Sequence, residues 1–343
     1  MKVSVITPIY NVHKFIVHGV HQVLNQTLKD FELIMVDDGS TDGSYEECLK
    51  MVSTDSRVRV LHQQNKGAGG ARNLGIENAH GEYIYFYDID DEIQSDLMES
   101  CVGKMDELNV DFLCFGYENI ETTYNSKVTV DFPETIITSN DDLKKMFVDQ
   151  FVLKTNGFPW NKMYRKSFLD KHGLRYENQR IQQDEVFNLK CYRYLENAYL
   201  SPKVLYTYYI YEKGNTRSRF IPDRFDIYKS VRQHFEDLKN FWGLDDKRLD
   251  DYLDKRFYDG VMQCFIFNLT HPNCKWTTVQ KNAEMNRINS DVLTQQAYTW
   301  AEKHNNGFEQ RIFRQACQQE NLFKIKLYSK LFGILHTIRR KLK

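Results

Sequence analysis

Short apolar runs alternate with helix-spaced segments along the first third of the chain. Val3–Ile6, Phe31–Val36, Val58–His62, Tyr83–Tyr87 and Phe112–Phe115 read as strands, rich in β-branched and aromatic side chains. The intervening residues 13–26, 44–53, 70–79 and 95–108 are long enough for helices. In the first of them Phe15, Ile16, Val20, Val23 and Leu24 share one face, a stripe that core packing alone explains. This alternation predicts an α/β fold with a mostly parallel central sheet covered by helices. Ligands of such sheets sit beyond the carboxyl ends of the strands.

Past residue 118 the pattern loosens. A helix is expected over about 140–152, a mixed segment at Phe158–Tyr164, and another helix opening at Gln182. From Asp223 apolar stripes at helical spacing run through 223–242 and 248–269, with no internal repeat.

Four successive strand ends are polar: Thr7–Asn11, Asp37–Asp42, Asn65–Asn73 and Asp88–Asp91. Asp88, Asp90 and Asp91 follow a buried strand, where carboxylates are costly unless solvated, paired or bound to a cation. Two of them at i and i+2 suit a hard divalent ion that also takes phosphate oxygens; a solvated helix cap is the alternative. Asp37 and Asp38 can accept from a ribose hydroxyl or a base N–H, with Ser40–Asp42 capping the next helix. Tyr10 can stack on a base or simply pack. Gly67–Gly70, with Lys66 and Arg72, offers close backbone approach and positive charge near a helix N-terminus. It does not meet the dinucleotide fingerprint, because Arg72 occupies the last glycine position and the segment follows the third strand. Asp184 and Glu185 open a helix, where acidic residues commonly just complement the dipole.

Charge sharpens the picture. Seven Lys and Arg and no acid follow Glu320, so the net charge of −1 leaves −8 on residues 1–320. An acidic body argues against nucleic-acid binding. The last 22 residues intersperse apolar side chains such as Phe323, Leu327, Leu331, Leu335, Ile338 and Leu342 with that basic charge. Such a tail suits an anionic membrane surface, or packing on the acidic body. Seven scattered cysteines without a C-x-x-C pair, no signal peptide and no transmembrane run predict a reduced, cytoplasmic setting.

Val3–Asn11 (VSVITPIYN), Phe31–Ser44 (FELIMVDDGSTDGS), Gly67–Gly75 (GAGGARNLG), Gly81–Asp91 (GEYIYFYDIDD) and Trp160–Tyr164 (WNKMY) together resemble the ordered motifs of family 2 glycosyltransferases, over roughly residues 1–210. The resemblance implies a GT-A fold over residues 1–222, divided into a nucleotide-sugar half (1–117) and an acceptor half (118–222). A helical extension (223–321) and the tail (322–343) follow. It implies that Pro8, Tyr10, Asp37, Asp38, Gly67, Arg72 and Asp88 bind the donor nucleotide, and that Asp88 and Asp90 form a DXD element for Mn or Mg. Asp184 becomes the catalytic base, and Asp91, Trp160, Asn161, Lys162 and Gln183 become acceptor contacts. Gln183 stands where the family often has glutamate. The implied reaction is inverting transfer of a hexose or N-acetylhexosamine from a UDP-sugar to a glycan or lipid-linked glycan, in lipopolysaccharide, O-antigen or capsule synthesis. A nucleotide-dependent oxidoreductase and a non-catalytic membrane-associated scaffold are the alternatives.

Overall fold

The computed structural model describes residues 1–123, 126–155, 157–210, 219–304 and 307–341, with side chains up to residue 332. The chain divides into two compact units, Met1–Gly214 and Asn215–Lys343.

The first unit opens with β1 (Val3–Ile9), α1 (His13–Leu24), β2 (Phe31–Asp37), α2 (Ser44–Val52), β3 (Val58–His62), α3 (Gly67–Glu77) and β4 (Tyr83–Phe86). Next come β5 (Glu92–Ile93), α4 (Leu97–Leu108), β6 (Phe112–Glu121), β7 (Ser126–Val130) and β8 (Thr135–Ile137). It ends with α5 (Asn140–Met146), β9 (Lys162–Arg165), α6 (Lys166–Lys171), α7 (Gln183–Tyr194) and β10 (Ala198–Ile210). Among the described residues these strands form one sheet in the order β3-β2-β1-β4-β9-β6-β10-β5, with β7 on β6 and β8 on β10.

The sheet is parallel through β3-β2-β1-β4, where strand and helix alternate in sequence, and mixed beyond. β9 lies antiparallel between β4 and β6, so β6 and its parallel neighbour β10 run the same way as β4. The carboxyl ends of β1, β2, β4, β6 and β10 therefore share one rim with the start of β9. α3 packs close on the sheet: a Cβ on Gly75 would meet the Ile6 side chain at 2.3 Å. That position tolerates only glycine.

One capping expectation is corrected. The N-cap of α2 is Gly43, at φ +89°, rather than Ser40–Asp42. Ser40 and Thr41 instead bond to Asn11, and Asp42 accepts from the amides of His13 and Ser44. Their side chains fasten the loop after β2 to the loop after β1, and a glycine takes the left-handed turn.

The second unit is helical among its described residues: α8 (Arg224–Trp242), α9 (Lys247–Cys264) continuing into a π-helical turn (Phe265–Leu269), α10 (Thr278–Asn289), α11 (Val292–His304), α12 (Phe308–Gln318) and α13 (Leu322–Lys341). No helix among the described residues is long and apolar enough to cross a membrane. In α13, Ile325 is buried while Phe323, Leu327 and Leu331 are exposed. Leu335, Ile338, Arg339, Arg340 and Lys341 fall where side chains are not described, and Leu342 and Lys343 lie outside the described residues.

Candidate functional site

Burial of an acidic group forces it to find donors, and the two aspartates after β2 show how. Asp38 accepts from the Gln63 side chain at 2.7 Å and from the Lys66 and Gly67 amides at 2.8 Å each. It thereby holds the glycine turn that starts α3, where Gly67 adopts φ +81°. Asp37 is fully buried; its Oδ2 meets His62 Nδ1 at 2.8 Å and the Gly39 and Ser40 amides at 3.3 Å. Its Oδ1 is buried without a partner. Pro8 is partly exposed and Tyr10 exposed on the neighbouring loop.

Arg72 is the hub of the rim. It is the sixth residue of α3, and its guanidinium is nearly enclosed. One nitrogen meets Asp184 Oδ1 at 2.5 Å and the other Asp88 Oδ1 at 2.9 Å, with the Tyr176 ring 5.5 Å away. Tyr176 is in turn stacked on Phe187, 4.2 Å between centroids and 3° between planes. Residues 112 and 16 positions away are thus gathered on one cation. Gln182, the N-cap of α7, is held at φ +60°, an uncommon conformation for a non-glycine residue, immediately before the pair Gln183-Asp184. Gln183 is 9% exposed beside Gly69. Glu185, expected as a surface group complementing the helix dipole, is instead buried at 2% exposure, because α7 turns this side of its first turn inward.

Electrostatics separate the acids. Burial pushes the Asp184 carboxyl up to about 6 against the pull of Arg72, with Asp88 adding to the rise. Asp90 is also pushed up to about 6, by burial and then by Asp88. Asp91 is raised well above the carboxylate range by burial and by its neighbours Asp90 and Asp88. Its two oxygens accept from the Tyr206 hydroxyl (2.7 Å) and the Tyr209 amide (3.0 Å), so it fastens the loop to β10.

The residues around the start of β9 are equally enclosed. Trp160 is 2% exposed and stacks on Tyr206 at 4.3 Å. Asn161 is fully buried, bonded to Thr155 and the Phe115 carbonyl. Lys162 is fully buried and donates to the Thr155 and Phe158 carbonyls and to Asn161, with its pKa pushed down to about 8 by burial. The fold turns Asp91, Trp160, Asn161 and Lys162 inward, as a polar and aromatic scaffold. Tyr176, Phe158, Tyr206 and Asn188 also shape the rim; their sequence positions carry no motif that would mark them.

Asp88 and Asp90 offer hard carboxylate oxygens with mutual repulsion that a divalent cation would relieve. No group of three or more His, Cys, Asp or Glu able to hold a metal occurs among the described residues. A cation here would complete its shell from a bound anion or water, which fits a diphosphate ligand.

The sequence profile of glycosyl transferase family 2 matches residues 4–173. The chain belongs to that family. Among curated proteins, the uncharacterized glycosyltransferase EpsJ of Bacillus subtilis (strain 168) is 30% identical over 207 residues. That match spans 60% of this chain and 60% of EpsJ's own length. Staphylococcus aureus TarS 1-349 in complex with UDP-GlcNAc superposes with a TM-score of 0.61 at 18% identity, over 97% of this chain and 92% of that one. The mannosyltransferase PcManGT of Pyrobaculum calidifontis, in complex with GDP-Man and Mn2+, has a TM-score of 0.54 at 16% identity, covering 88% and 86%. The two structural likenesses show a GT-A fold for this chain.

Proposed function

We propose that this family 2 glycosyltransferase moves a hexose or N-acetylhexosamine from a UDP-sugar to a hydroxyl of a glycan acceptor, with inversion. The observation that carries this reading is the Arg72 bridge, which ties Asp184 at the head of α7 to the Asp88 end of the DXD element. In this reading the bridge would hold the base and the diphosphate site at a set separation. The UDP-GlcNAc complex of the TarS likeness supports the choice of donor.

In this reading the rim loops carrying Pro8 and Tyr10 cover the nucleoside, and Asp37 and Asp38 shape its floor. Asp88 and Asp90 would hold Mn or Mg, which supplies positive charge against the departing diphosphate. Asp184, ionised above its raised pKa, accepts the proton of the acceptor hydroxyl as that oxygen attacks the anomeric carbon. A single displacement inverts that carbon, so an α-linked donor yields a β-glycoside. Synthesis of a bacterial surface polysaccharide (lipopolysaccharide, O-antigen or capsule) is the corresponding setting. A panel of UDP-sugars tested for metal-dependent UDP release decides the matter; no release from any of them sinks the reading, and NAD-induced stabilisation in its place would favour an oxidoreductase.

The base also sets a pH limb. At saturating donor and metal, transfer should fall about tenfold per pH unit below an apparent pKa near 6, because only the ionised Asp184 accepts a proton. A rate that stays level from pH 7 to pH 5 removes Asp184 from this role.

The C-terminal helix supports a peripheral membrane reading at the cytoplasmic face. Phe323, Leu327 and Leu331 recur every four residues on one exposed line, with Lys324, Lys326 and Lys330 exposed beside them. Replacing Phe323, Leu327 and Leu331 by Ser, while leaving buried Ile325 in place, should release the protein from vesicles rich in anionic lipid without changing its melting temperature. Retained vesicle binding argues for a helix that only packs on protein.

A further inference from the structure

We infer that Phe158 and Tyr208 form an acceptor subsite that holds a sugar ring of the acceptor against their ring faces, an inference that rests on the transferase reading above. The sheet order β4-β9-β6-β10 decides what lies next to the acidic loop Asp88–Asp91. β9 is antiparallel, so its first residue, Lys162, is at the rim, and Phe158–Asn161 lead into it there. The far end of β10 reaches the same rim with Tyr206 and Tyr208, two residues apart and therefore on one face.

These aromatics gather around Trp160, with the Phe158 and Tyr208 rings 6.2 Å apart and tilted 43° to each other. Trp160 lies flat on Tyr206 (4.3 Å, 8°), near-parallel to Tyr208 (5.5 Å, 21°) and to Phe158 (4.7 Å, 26°). Trp160 and Tyr206 are buried, whereas Phe158 and Tyr208 each keep part of their surface exposed. The cluster is pinned at both ends. The Phe158 carbonyl accepts from Lys162 Nζ and from Asn188 Nδ2 at 3.1 Å, and Asn188 is one turn beyond Asp184 on α7. At the other end the Tyr206 hydroxyl and the Tyr209 amide both donate to Asp91. One anchor is the helix carrying the base and the other is the loop carrying Asp88 and Asp90.

Preorganised aromatic faces beside a transfer centre suit one class of acceptor. A pyranose presents C–H faces that pack on an aromatic ring while its hydroxyls stay at the edge for water and polar groups. A phosphate-linked polyol has no such face. The acceptor class is therefore a saccharide, with the attacked hydroxyl on or next to the stacked ring.

The test uses the full chain, with UDP and Mg for binding and a UDP-sugar with Mn for transfer, and, as probes, the methyl β-glycosides of glucose, galactose and N-acetylglucosamine and their disaccharides. Saturation-transfer NMR reads binding, and UDP release reads transfer. Phe158→Ala and Tyr208→Ala should each weaken saccharide saturation and lower acceptor kcat/KM by roughly tenfold or more. UDP release without acceptor should stay within about twofold, and Phe158→Tyr should behave as wild type. If saccharides saturate the wild type and the alanine variants abolish it, but no UDP-sugar is consumed, the subsite stands and the transferase reading fails. If both alanine variants glycosylate saccharides at the wild-type KM, the reading stands and the subsite is overturned. Glycerol 3-phosphate saturating the wild type where no saccharide does overturns it as well.

Discussion

Asp184→Asn should cut the transfer rate roughly a hundredfold or more while leaving the affinity for UDP with Mn within about twofold. Asparagine keeps the shape of the side chain and one acceptor oxygen, so the contact that Arg72 makes at 2.5 Å can persist as a neutral hydrogen bond. What disappears is the proton acceptor. Because Arg72 also meets Asp88 at 2.9 Å, the guanidinium retains an anionic partner and the neighbouring loop keeps its position. Asp184 side-chain exposure of 23% gives an acceptor hydroxyl access to the carboxylate even with Arg72 in place. Initial transfer rates beside UDP titrations separate the possibilities. A near wild-type rate places the base elsewhere, and an equal loss of UDP affinity reassigns Asp184 to the donor site. Glu185 is no neutral control for this experiment, since it is buried one residue further along α7.

The alternation of apolar runs and helical segments is a local property, and through β4 it locates every element to within a few residues. Beyond that point the determinants are long-range. β6 runs to Glu121 rather than ending at Phe115, because its half-exposed second part pairs with β7 and β10 instead of joining a buried run. β10 is harder to see, since Pro202 interrupts it. The proline sits in a register shift between Ser201 and Val204, where no ladder hydrogen bond is required of it. β9 is four residues long and contains Lys162, which resembles a surface position until its ammonium is found among carbonyl oxygens.

The candidate site divides along the same line. Asp37, Asp38, Asp88 and Asp90 stand out in the sequence because carboxylates directly after buried strands are costly without a partner. That reasoning marks where polar chemistry gathers, not which atoms face a ligand. Asp38 and Asp91 have their oxygens engaged by the protein's own donors, whereas Asp90 is left with a neighbouring acid and a raised pKa. The bond between Arg72 and Asp184 spans 112 residues, and no periodicity encodes it. The same holds for the cluster of Phe158, Trp160, Tyr206 and Tyr208, assembled from β10 and the segment that leads into β9, which sequence patterning does not bring together.

Asp90→Asn should nearly abolish metal-dependent transfer and yet make the metal-free protein more stable at pH 8. Removing one carboxylate leaves the diphosphate charge poorly neutralised, which accounts for the lost activity. The stability effect follows from burial beside Asp88, which raises the folded pKa of Asp90 from an ordinary 3.8 to about 6. A carboxyl raised in the folded state contributes stability that is fully present below pH 3.8 and is lost as pH climbs through about 6. At pH 8 the ionised group therefore costs on the order of 3 kcal/mol, a cost that asparagine does not carry. The variant should melt several degrees above wild type at pH 8 without metal, and the difference should shrink towards pH 4.5. Adding Mn with UDP should reverse the order, because the ligands stabilise only the protein that binds them. Melting curves at the two pH values, with and without Mn and UDP, decide it. A variant less stable than wild type at pH 8 would refute the electrostatic account of Asp90. A variant that keeps the full stabilisation by Mn and UDP would show that Asp90 does not hold the metal.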